Sequence, residues 1–321
     1  MLFFNSLVMS SLIVISSYSW MMMWVGVEIN LLSIIPIITK KNNLYSSESS
    51  MKYFLAQSLA SSILIFSILM MEKNIFVNTT FFIQFALLMK LGMAPFHWWL
   101  PEVMEGLNWM NCLIILTWQK IAPMIMLMMM LKNSLIMNLT IVLSSLISGI
   151  QGLNQISMKK IMAYSSINHM AWMLMSIMSS SWTWLIYFLI YLVSNILLVM
   201  YFSFMKINFI NQINSINMNK TQKTMLMLNF FSLSGMPPMI GFLPKWLTIS
   251  FMIKNLNMTI TFILILSSLI HIYFYMRIIM PSLMMKIKEP KKLEFKTFKN
   301  FIFMISNLMF LFSLPLMNCL L

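Results

Sequence analysis

Long runs of apolar residues, separated by short polar segments, make up most of this chain. A helix needs about 20 apolar residues to cross a bilayer, and many runs reach that length. The pattern predicts eleven spans, at roughly 1–18, 20–39, 52–71, 75–107, 109–131, 135–152, 159–179, 182–205, 224–254, 258–280 and 299–320. We therefore expect an all-α integral membrane protein, in which spans four and nine are too long to be simple helices.

Both long spans contain the same kind of interruption. The stretch LGMAPFHWWLPE begins at residue 91, and LSGMPPMIGFLPKW begins at residue 233. Gly92 pairs with Gly235 and Pro95 with Pro238 at a constant offset of 143, and five of eleven aligned positions are identical. Two unrelated proline kinks are the simpler alternative, but a shared internal repeat explains the identities better.

The basic residues between the spans favour one side of the membrane. With eleven spans, fifteen Lys and Arg lie on the side of the N-terminus and three on the other. The positive-inside rule places the richer side in the matrix or cytoplasm. Span nine comes five spans after span four and runs in the opposite direction, so we expect inverted five-helix repeats at 1–131 and 132–280. The remainder, 281–321, is predicted to be a basic matrix loop and a C-terminal transmembrane helix.

Composition supports a membrane protein and excludes several other classes. The chain has 321 residues, of which 60% are hydrophobic and 9% charged, whereas soluble domains carry about 25% charged residues. The net charge of +14 lies in loops without interleaved stacking aromatics, so we expect no nucleic-acid partner. Two cysteines cannot hold an iron–sulfur cluster, and no nucleotide-binding glycine motif occurs. The abundance of Met suggests an AT-rich mitochondrial gene.

A few ionisable residues fall inside the predicted spans, where burial costs at least about 2.5–3.5 kcal/mol. Each is a candidate for function, although a lysine can extend to the membrane surface and a histidine can serve packing alone. They occur in matching spans of the two proposed repeats: two and seven, four and nine, five and ten. The candidates are Glu28, Lys90, Lys120, Lys245, His169 and His271, with His97 in the first interruption.

Proton transfer is the chemistry that this set of residues offers. Desolvation disfavours a charged ammonium group, whereas a nearby carboxylate favours it. A Glu–Lys pair at one end of a row of lysines can therefore act as a switch, because separating the pair releases a proton and restoring it recovers one. Glu28 needs such a partner, and a lysine is the natural one.

Several motifs resemble a known family. The segments MKLGMAPFHWWLPEV, LTWQKIAP, KIMAYSSINHMAWM and SGMPPMIGFLPKW are similar to those of mitochondrially encoded NADH dehydrogenase (ubiquinone) subunit 2 of respiratory complex I. The match includes WVGVEIN near the start and IYFYMR near the end. Animal members of this antiporter-like family resemble a bacterial subunit of fourteen helices that has lost its first three, which agrees with eleven spans.

The resemblance implies specific roles. Glu28 and Lys90 would form the ion pair of a proton half-channel, Lys120 would be the central relay, and Lys245 would lead toward the exit. His169 and His271 occupy positions that are more variable in the family. The chain would bind no cofactor itself, since FMN, iron–sulfur clusters and quinone are expected on other subunits of the complex.

The resemblance also implies a location and partners. We expect a subunit of an H⁺-translocating NADH:ubiquinone reductase in the mitochondrial inner membrane, with its N-terminus in the matrix and its C-terminus in the intermembrane space. Its partners would be membrane lipids and the other membrane and accessory subunits of complex I, in a hetero-oligomer. Two alternatives remain open: a free-standing cation/proton antiporter, and a purely structural subunit in which the lysines only pair for assembly.

Overall fold

The computed structural model describes residues 2–39, 43–72, 79–130, 135–215, 220–254 and 258–284. These residues form helices, with no strand among them apart from an isolated bridge between Ser157 and Phe209. The predicted eleventh span and the basic segment before it lie outside the described residues. Contacts between Cα atoms divide the chain into two compact units, Met1–Ser144 and Ser145–Leu321.

The helices of the first unit are α1 (Leu2–Ser16), α2 (Trp20–Ile38), α3 (Leu44–Glu72), α4 (Thr79–Leu91), α5 (Trp99–Gly106), α6 (Trp109–Leu116) and α7 (Ile121–Met129). A 3₁₀ turn, Trp118–Lys120, joins α6 to α7, and α8 (Leu135–Leu153) crosses the boundary between the units. The second unit contains α9 (Met158–Ser179), α10 (Ser181–Met205), α11 (Ile210–Ser215), α12 (Lys220–Ser234), α13 (Phe242–Lys254) and α14 (Met258–Met284).

Six of the described helical segments are long and apolar enough to cross a membrane. They are Trp20–Ile38, Leu44–Met71, Trp109–Met129, Leu135–Leu153, Ser181–Met205 and Met258–Met280. Three shorter apolar helices, Leu2–Ser16, Thr79–Leu91 and Thr224–Ser234, accompany them. The all-helical, multi-pass character predicted from the apolar runs is confirmed by these segments.

Helix α3 begins two turns before the predicted third span, so Lys52 lies inside a helix rather than in a loop. The extra turns are polar, and Lys52 pairs with Glu48 one turn earlier, at 3.0 Å between Nζ and Oε1. Such a pair stabilises a helix modestly. Its 29 residues span about 43 Å at 1.5 Å per residue, which exceeds the hydrocarbon core of about 30 Å. Helix length therefore follows the local pairing as well as the apolar pattern.

Each unit has its own packing. In the first, α1 lies against α2, and a Cβ on Gly26 would stand only 2.6 Å from Val14 Cγ2. Helices α3, α4 and α5 pack together beside them. In the second unit, α9 is buried along nearly its whole length and contacts α10 and α13. This enclosure explains how α9 accommodates buried polar side chains such as Asn168 and His169.

Candidate functional site

The first predicted interruption is a genuine helix end. Helix α4 stops at Leu91, and Gly92 adopts a left-handed conformation with φ +69°. The Met93 N–H donates to the Leu88 carbonyl at 3.1 Å, which is the bond of a Schellman C-terminus. The chain resumes as α5 at Trp99.

The second interruption repeats this geometry in the other unit. Helix α12 stops at Ser234, and Gly235 has φ +79°. The Met236 N–H donates to the Phe231 carbonyl at 3.2 Å, and α13 begins at Phe242. Each of these positions lies 143 residues after its counterpart. The repeated motif therefore specifies the same backbone turn twice, because only glycine adopts the left-handed region without strain.

The interruption in α4 frees backbone carbonyls, and side chains from elsewhere satisfy them. The Gln57 amide donates to the Lys90 carbonyl at 3.1 Å, and the Trp99 indole N–H donates to the Met89 carbonyl at 3.1 Å. Backbone groups in a membrane interior need such partners, since lipid offers none. The side chains of Gln57 and Trp99 therefore stabilise the interrupted backbone.

Lys90 and Lys120 line a common cavity in the first unit. The cavity has a volume of about 20 Å³, and a water molecule needs about 10–15 Å³ by the same measure. Both lysines are buried, with 5% and 3% of their surface exposed. The other polar residues of the lining are Asn30, Tyr53, Gln57 and Gln119. The cavity therefore has room for a water molecule beside both lysines.

Lys90 sits in the last turn of α4 with its ammonium group buried. Its Nζ makes no hydrogen bond within the described part of the chain. Glu28, half-buried on α2, acts on it electrostatically. No direct ion pair joins Glu28 to Lys90 in the described part of the chain, so their charged groups are more than 4.0 Å apart.

Lys120 lies in a helix break that the sequence analysis missed. The fifth span was predicted as one helix, but α6 ends at Leu116 and the 3₁₀ turn Trp118–Lys120 precedes α7. The cause is Pro123, which has no N–H for the Gln119 carbonyl and whose ring collides with that carbonyl in an α-helix. The Lys120 N–H instead donates to Thr117 O at 3.3 Å. The motif LTWQKIAP contained this signal.

The residue before Lys120 is tied to two other helices. Gln119 Nε2 donates to Asn30 Oδ1 on α2 at 2.8 Å, and the Tyr53 hydroxyl on α3 donates to Gln119 Oε1 at 3.2 Å. Asn30 and Tyr53 are themselves buried. Sequence reasoning did not single out these three residues, because their partners come from distant parts of the chain.

Lys245 lies in the first turn of α13, and its side chain reaches back to the second interruption. Its Nζ donates to the Ser234 carbonyl at 2.7 Å and lies 5.7 Å from the centre of the Trp172 ring. Only 5% of the residue is exposed. The lysine therefore satisfies a carbonyl at the end of α12, and the aromatic face adds a favourable cation–π contact.

His271 on α14 has a partner on each ring nitrogen. Nδ1 lies 2.9 Å from the Ser267 carbonyl, so it carries a proton, and Nε2 lies 3.1 Å from Ser148 Oγ on α8. The Ser148 hydroxyl can donate either to Nε2 or to the Ser145 carbonyl at 3.2 Å. Neutral and charged His271 are both accommodated by rotation of one hydroxyl. Lys245 also acts on His271 electrostatically.

His169 and His97 lie in different surroundings. His169 Nδ1 is 3.0 Å from the Tyr187 hydroxyl, and the ring lines a cavity of about 10 Å³ with Tyr191 and Pro244. His97 is buried in the first interruption beside Trp98, with 5.2 Å between ring centres. Thus His169 borders the second interruption, and His97 lies within the first.

Comparison with protein families identifies the group to which these features belong. The family described as NADH:quinone oxidoreductase/Mrp antiporter, TM, matches residues 17–271. This chain belongs to that family. The matched region contains both interruptions and all six candidate residues.

Individual relatives of this chain are similar over most of its length. Proteins called NADH-ubiquinone oxidoreductase chain 2 from Anopheles gambiae and Locusta migratoria are 44% and 42% identical to this chain over 289 and 295 residues. These alignments cover 86% and 89% of this chain and 84% and 85% of the two relatives. The resemblance inferred from the sequence motifs is confirmed.

Solved structures show the same fold. Respiratory complex I from Thermus thermophilus contains a chain with a TM-score of 0.86 and 20% identity, covering 98% of this chain and 77% of that one. The Mrp complex from Dietzia sp. DQ12-45-1b contains one with a TM-score of 0.78 and 13% identity, covering 91% and 61%. The fold is therefore that of antiporter-like membrane subunits.

Proposed function

We propose that this chain is a core membrane subunit of respiratory complex I that moves protons through a row of buried ionisable residues. The observation that carries the proposal is the cavity shared by Lys90 and Lys120. Two buried lysines line one cavity with room for a water molecule, and because burying an ammonium group inside a membrane is costly, this arrangement supports a functional role.

In the first unit, the proposed sequence of events begins at Glu28. When its carboxylate approaches Lys90, the charged form of Lys90 is favoured; when it withdraws, Lys90 passes a proton through the cavity water to Lys120. Lys120 is the central relay of this scheme. The lack of a direct ion pair between Glu28 and Lys90 fits the stage of this scheme at which the proton leaves Lys90.

In the second unit, we assign the later steps to Lys245, His271 and His169. Lys245 is held at the second interruption, and we propose that it directs protons toward the exit. His271 can change charge without losing its partners, since Ser148 serves either state. His169 has the Tyr187 hydroxyl as its partner beside the smaller cavity.

The proposed architecture has eleven transmembrane helices, two of them discontinuous, in two inverted five-helix repeats at 1–131 and 132–280. Residues 281–321 would supply a basic loop and a last helix. The identical glycine-centred turns, 143 residues apart, support this arrangement. Discontinuous helices at matching positions of inverted repeats are typical of transporters.

We further propose that the chain binds no cofactor and works within a hetero-oligomer in the mitochondrial inner membrane. FMN, iron–sulfur clusters and quinone would lie on other subunits, whose redox energy drives the pump. The names of the insect relatives and the fold shared with a chain of Thermus thermophilus complex I support this assignment. The other membrane and accessory subunits and the lipids would be its partners.

The alternative is a free-standing cation/proton antiporter. A chain of the Mrp complex has the same fold, which is compatible with this alternative. At 13% identity, that similarity supports the fold alone and not the function. Purification in mild detergent separates the two, because a complex I subunit co-migrates with NADH-oxidising activity. A chain that migrates alone or as a homo-oligomer would support the antiporter.

The decisive test is Lys120→Met in the assembled complex. Methionine keeps the length and apolar stem but removes the titratable group, and removing a buried charge should not hinder folding. Protons moved per NADH oxidised should fall sharply. Lys120→Arg should also impair pumping, since a guanidinium does not release its proton.

Lys206→Met is the matched control, because Lys206 is exposed at the end of α10 and lies outside the proposed path. Its pumping should stay normal. A Lys120→Met complex that assembles and pumps at the normal ratio would refute the relay. Failure of both Lys120 variants to assemble would support the structural alternative instead.

A further inference from the structure

We propose that Gln119 is a positioning residue for proton transfer, which aims Lys120 into the cavity that it shares with Lys90. The inference rests on the proposed function and assigns to Gln119 a role distinct from that of the lysines. Three observations carry it: the backbone at Gln119, the partners of its side chain and its place in the cavity wall.

The backbone around Gln119 is held by few hydrogen bonds of its own, among them Lys120 N–H to Thr117 O and Ile121 N–H to Trp118 O. Pro123 supplies no N–H to the Gln119 carbonyl, and a 3₁₀ turn has poorer hydrogen-bond geometry than an α-helix. The turn is only three residues long, Trp118–Lys120. A short turn of this kind needs further contacts to fix its rotation, and a change in that rotation would change the direction of Lys120.

The Gln119 side chain supplies that support from two directions. Its amide donates to Asn30 on α2 at 2.8 Å and accepts from Tyr53 on α3 at 3.2 Å. Both partners are almost fully buried, at 3% and 2% exposed. Water therefore competes poorly for these bonds, and a buried partner left unpaired would be costly. The turn is clamped between two helices.

The two hydrogen bonds of the Gln119 side chain, to Asn30 and from Tyr53, fix the direction of Lys120. Successive residues of a 3₁₀ turn are about 120° apart around the axis, so anchoring Gln119 sets the direction of its neighbour. Both side chains line the cavity that also contains Lys90. A carboxamide has no group that titrates near neutral pH, so Gln119 acts through Lys120 and does not itself carry the proton.

The first test is Gln119→Met in the assembled complex. Methionine has a similar length but can neither donate an N–H bond nor accept strongly. Protons moved per NADH oxidised should fall several-fold, while the NADH oxidation rate of the uncoupled complex is retained. The pH profile of pumping should also change, because the relay is now misplaced.

Asn111→Leu is the control for loss of a helix–helix bond. The Asn111 amide on α6 donates to the Ile37 carbonyl on α2 at 3.1 Å, which links neighbouring segments outside the cavity lining. This variant should lose some thermal stability and keep both the pumping ratio and its pH profile. A merely structural Gln119 would behave in the same way.

Tyr53→Phe provides a second variant that retains the volume of the side chain and should assemble. It removes one of the two bonds to Gln119, so a smaller loss of pumping is expected. Combined with Gln119→Met, it should add little, because both changes break one network. Normal pumping in either single variant, while Lys120→Met fails to pump, overturns the positioning role and leaves the relay intact. Normal pumping in Lys120→Met would instead overturn the proposed function.

Discussion

One buried hydroxyl group, that of Ser148, contacts both a histidine ring and a backbone carbonyl. Most described serines donate to a carbonyl of the preceding helical turn, as Ser144 does to Ile141 at 3.0 Å. Ser148 differs, since it also meets the ring of His271. A hydroxyl can donate or accept, so Ser148 serves both charge states of the histidine.

Ser148→Ala should therefore reduce proton pumping, because charged His271 loses its acceptor at Nε2. The loss of stability should be about 1 kcal/mol, the ordinary value of one hydrogen bond. Ser144→Ala removes an equally buried hydroxyl from the same helix without touching the histidine. The number of protons moved per NADH oxidised would be measured for both variants in proteoliposomes. Equal values for the two variants would contradict a role of His271 in proton transfer.

The two left-handed glycines offer a second matched pair. Alanine at Gly92 or Gly235 should cost about 1–2 kcal/mol from the backbone alone. A Cβ at Gly235 would also lie 2.9 Å from both Cδ and Nζ of Lys245, whereas at Gly92 its nearest neighbour is Leu100 Cδ1 at 3.0 Å. Both variants should lower the thermal stability of the complex.

Gly235→Ala should in addition displace Lys245 and reduce pumping more than Gly92→Ala does. Differential scanning calorimetry and the pumping ratio would be measured on the same preparations. A Gly235→Ala complex with lower stability and an unchanged ratio would show that Lys245 has no part in transfer.

At the scale of elements, the apolar runs predicted the positions of the helices. They did not predict the interruptions that depend on contacts with neighbouring helices. The spans predicted at 135–152 and 159–179 correspond closely to α8 and α9. The glycine-marked breaks were also readable, because a left-handed turn demands that residue. The 3₁₀ turn before α7 was missed although Pro123 signals it, and the contacts from α2 and α3 that hold the turn could not be predicted. The clamp on Gln119 joins residues 89 and 66 positions apart along the chain, and apolar periodicity cannot reveal such partners.

Pro123→Ala tests whether the 3₁₀ turn before α7 is needed for proton pumping. Alanine restores an N–H that can bond the Gln119 carbonyl, and a proline in a helix interior costs about 3 kcal/mol. The variant should favour a continuous helix, so we expect stability to be kept or raised while pumping falls. Pro36→Ala is the control, since Pro36 lies inside α2 without a break. Unchanged pumping by a Pro123→Ala complex with a continuous helix would show that the break is dispensable.

At the scale of the whole molecule, the surface is suited to lipid. Large apolar side chains are exposed on most described helices, among them Trp182, Leu135 and Leu189 at 73%, 73% and 51%. A soluble protein rarely exposes so much apolar surface. The basic residues are distributed differently, since most of them lie on one predicted side of the membrane.

That asymmetry leads to a prediction about orientation. With fifteen basic residues on the side of the N-terminus and three on the other, the N-terminus should face the matrix. An odd number of spans then places the C-terminus in the intermembrane space. The argument depends on the whole count, because one span more or fewer would move every later loop to the opposite side and mix the charges.

Protease treatment of mitoplasts carrying a tag on either terminus measures this directly. A C-terminal tag should be digested while the inner membrane is intact, and an N-terminal tag only after detergent opens it. A matrix protein marker must survive the first treatment, so that leakage is ruled out. Digestion of the C-terminal tag only from the matrix side would mean an even number of spans. The inverted-repeat architecture would then lose its basis, since two five-helix repeats and one further helix require an odd number.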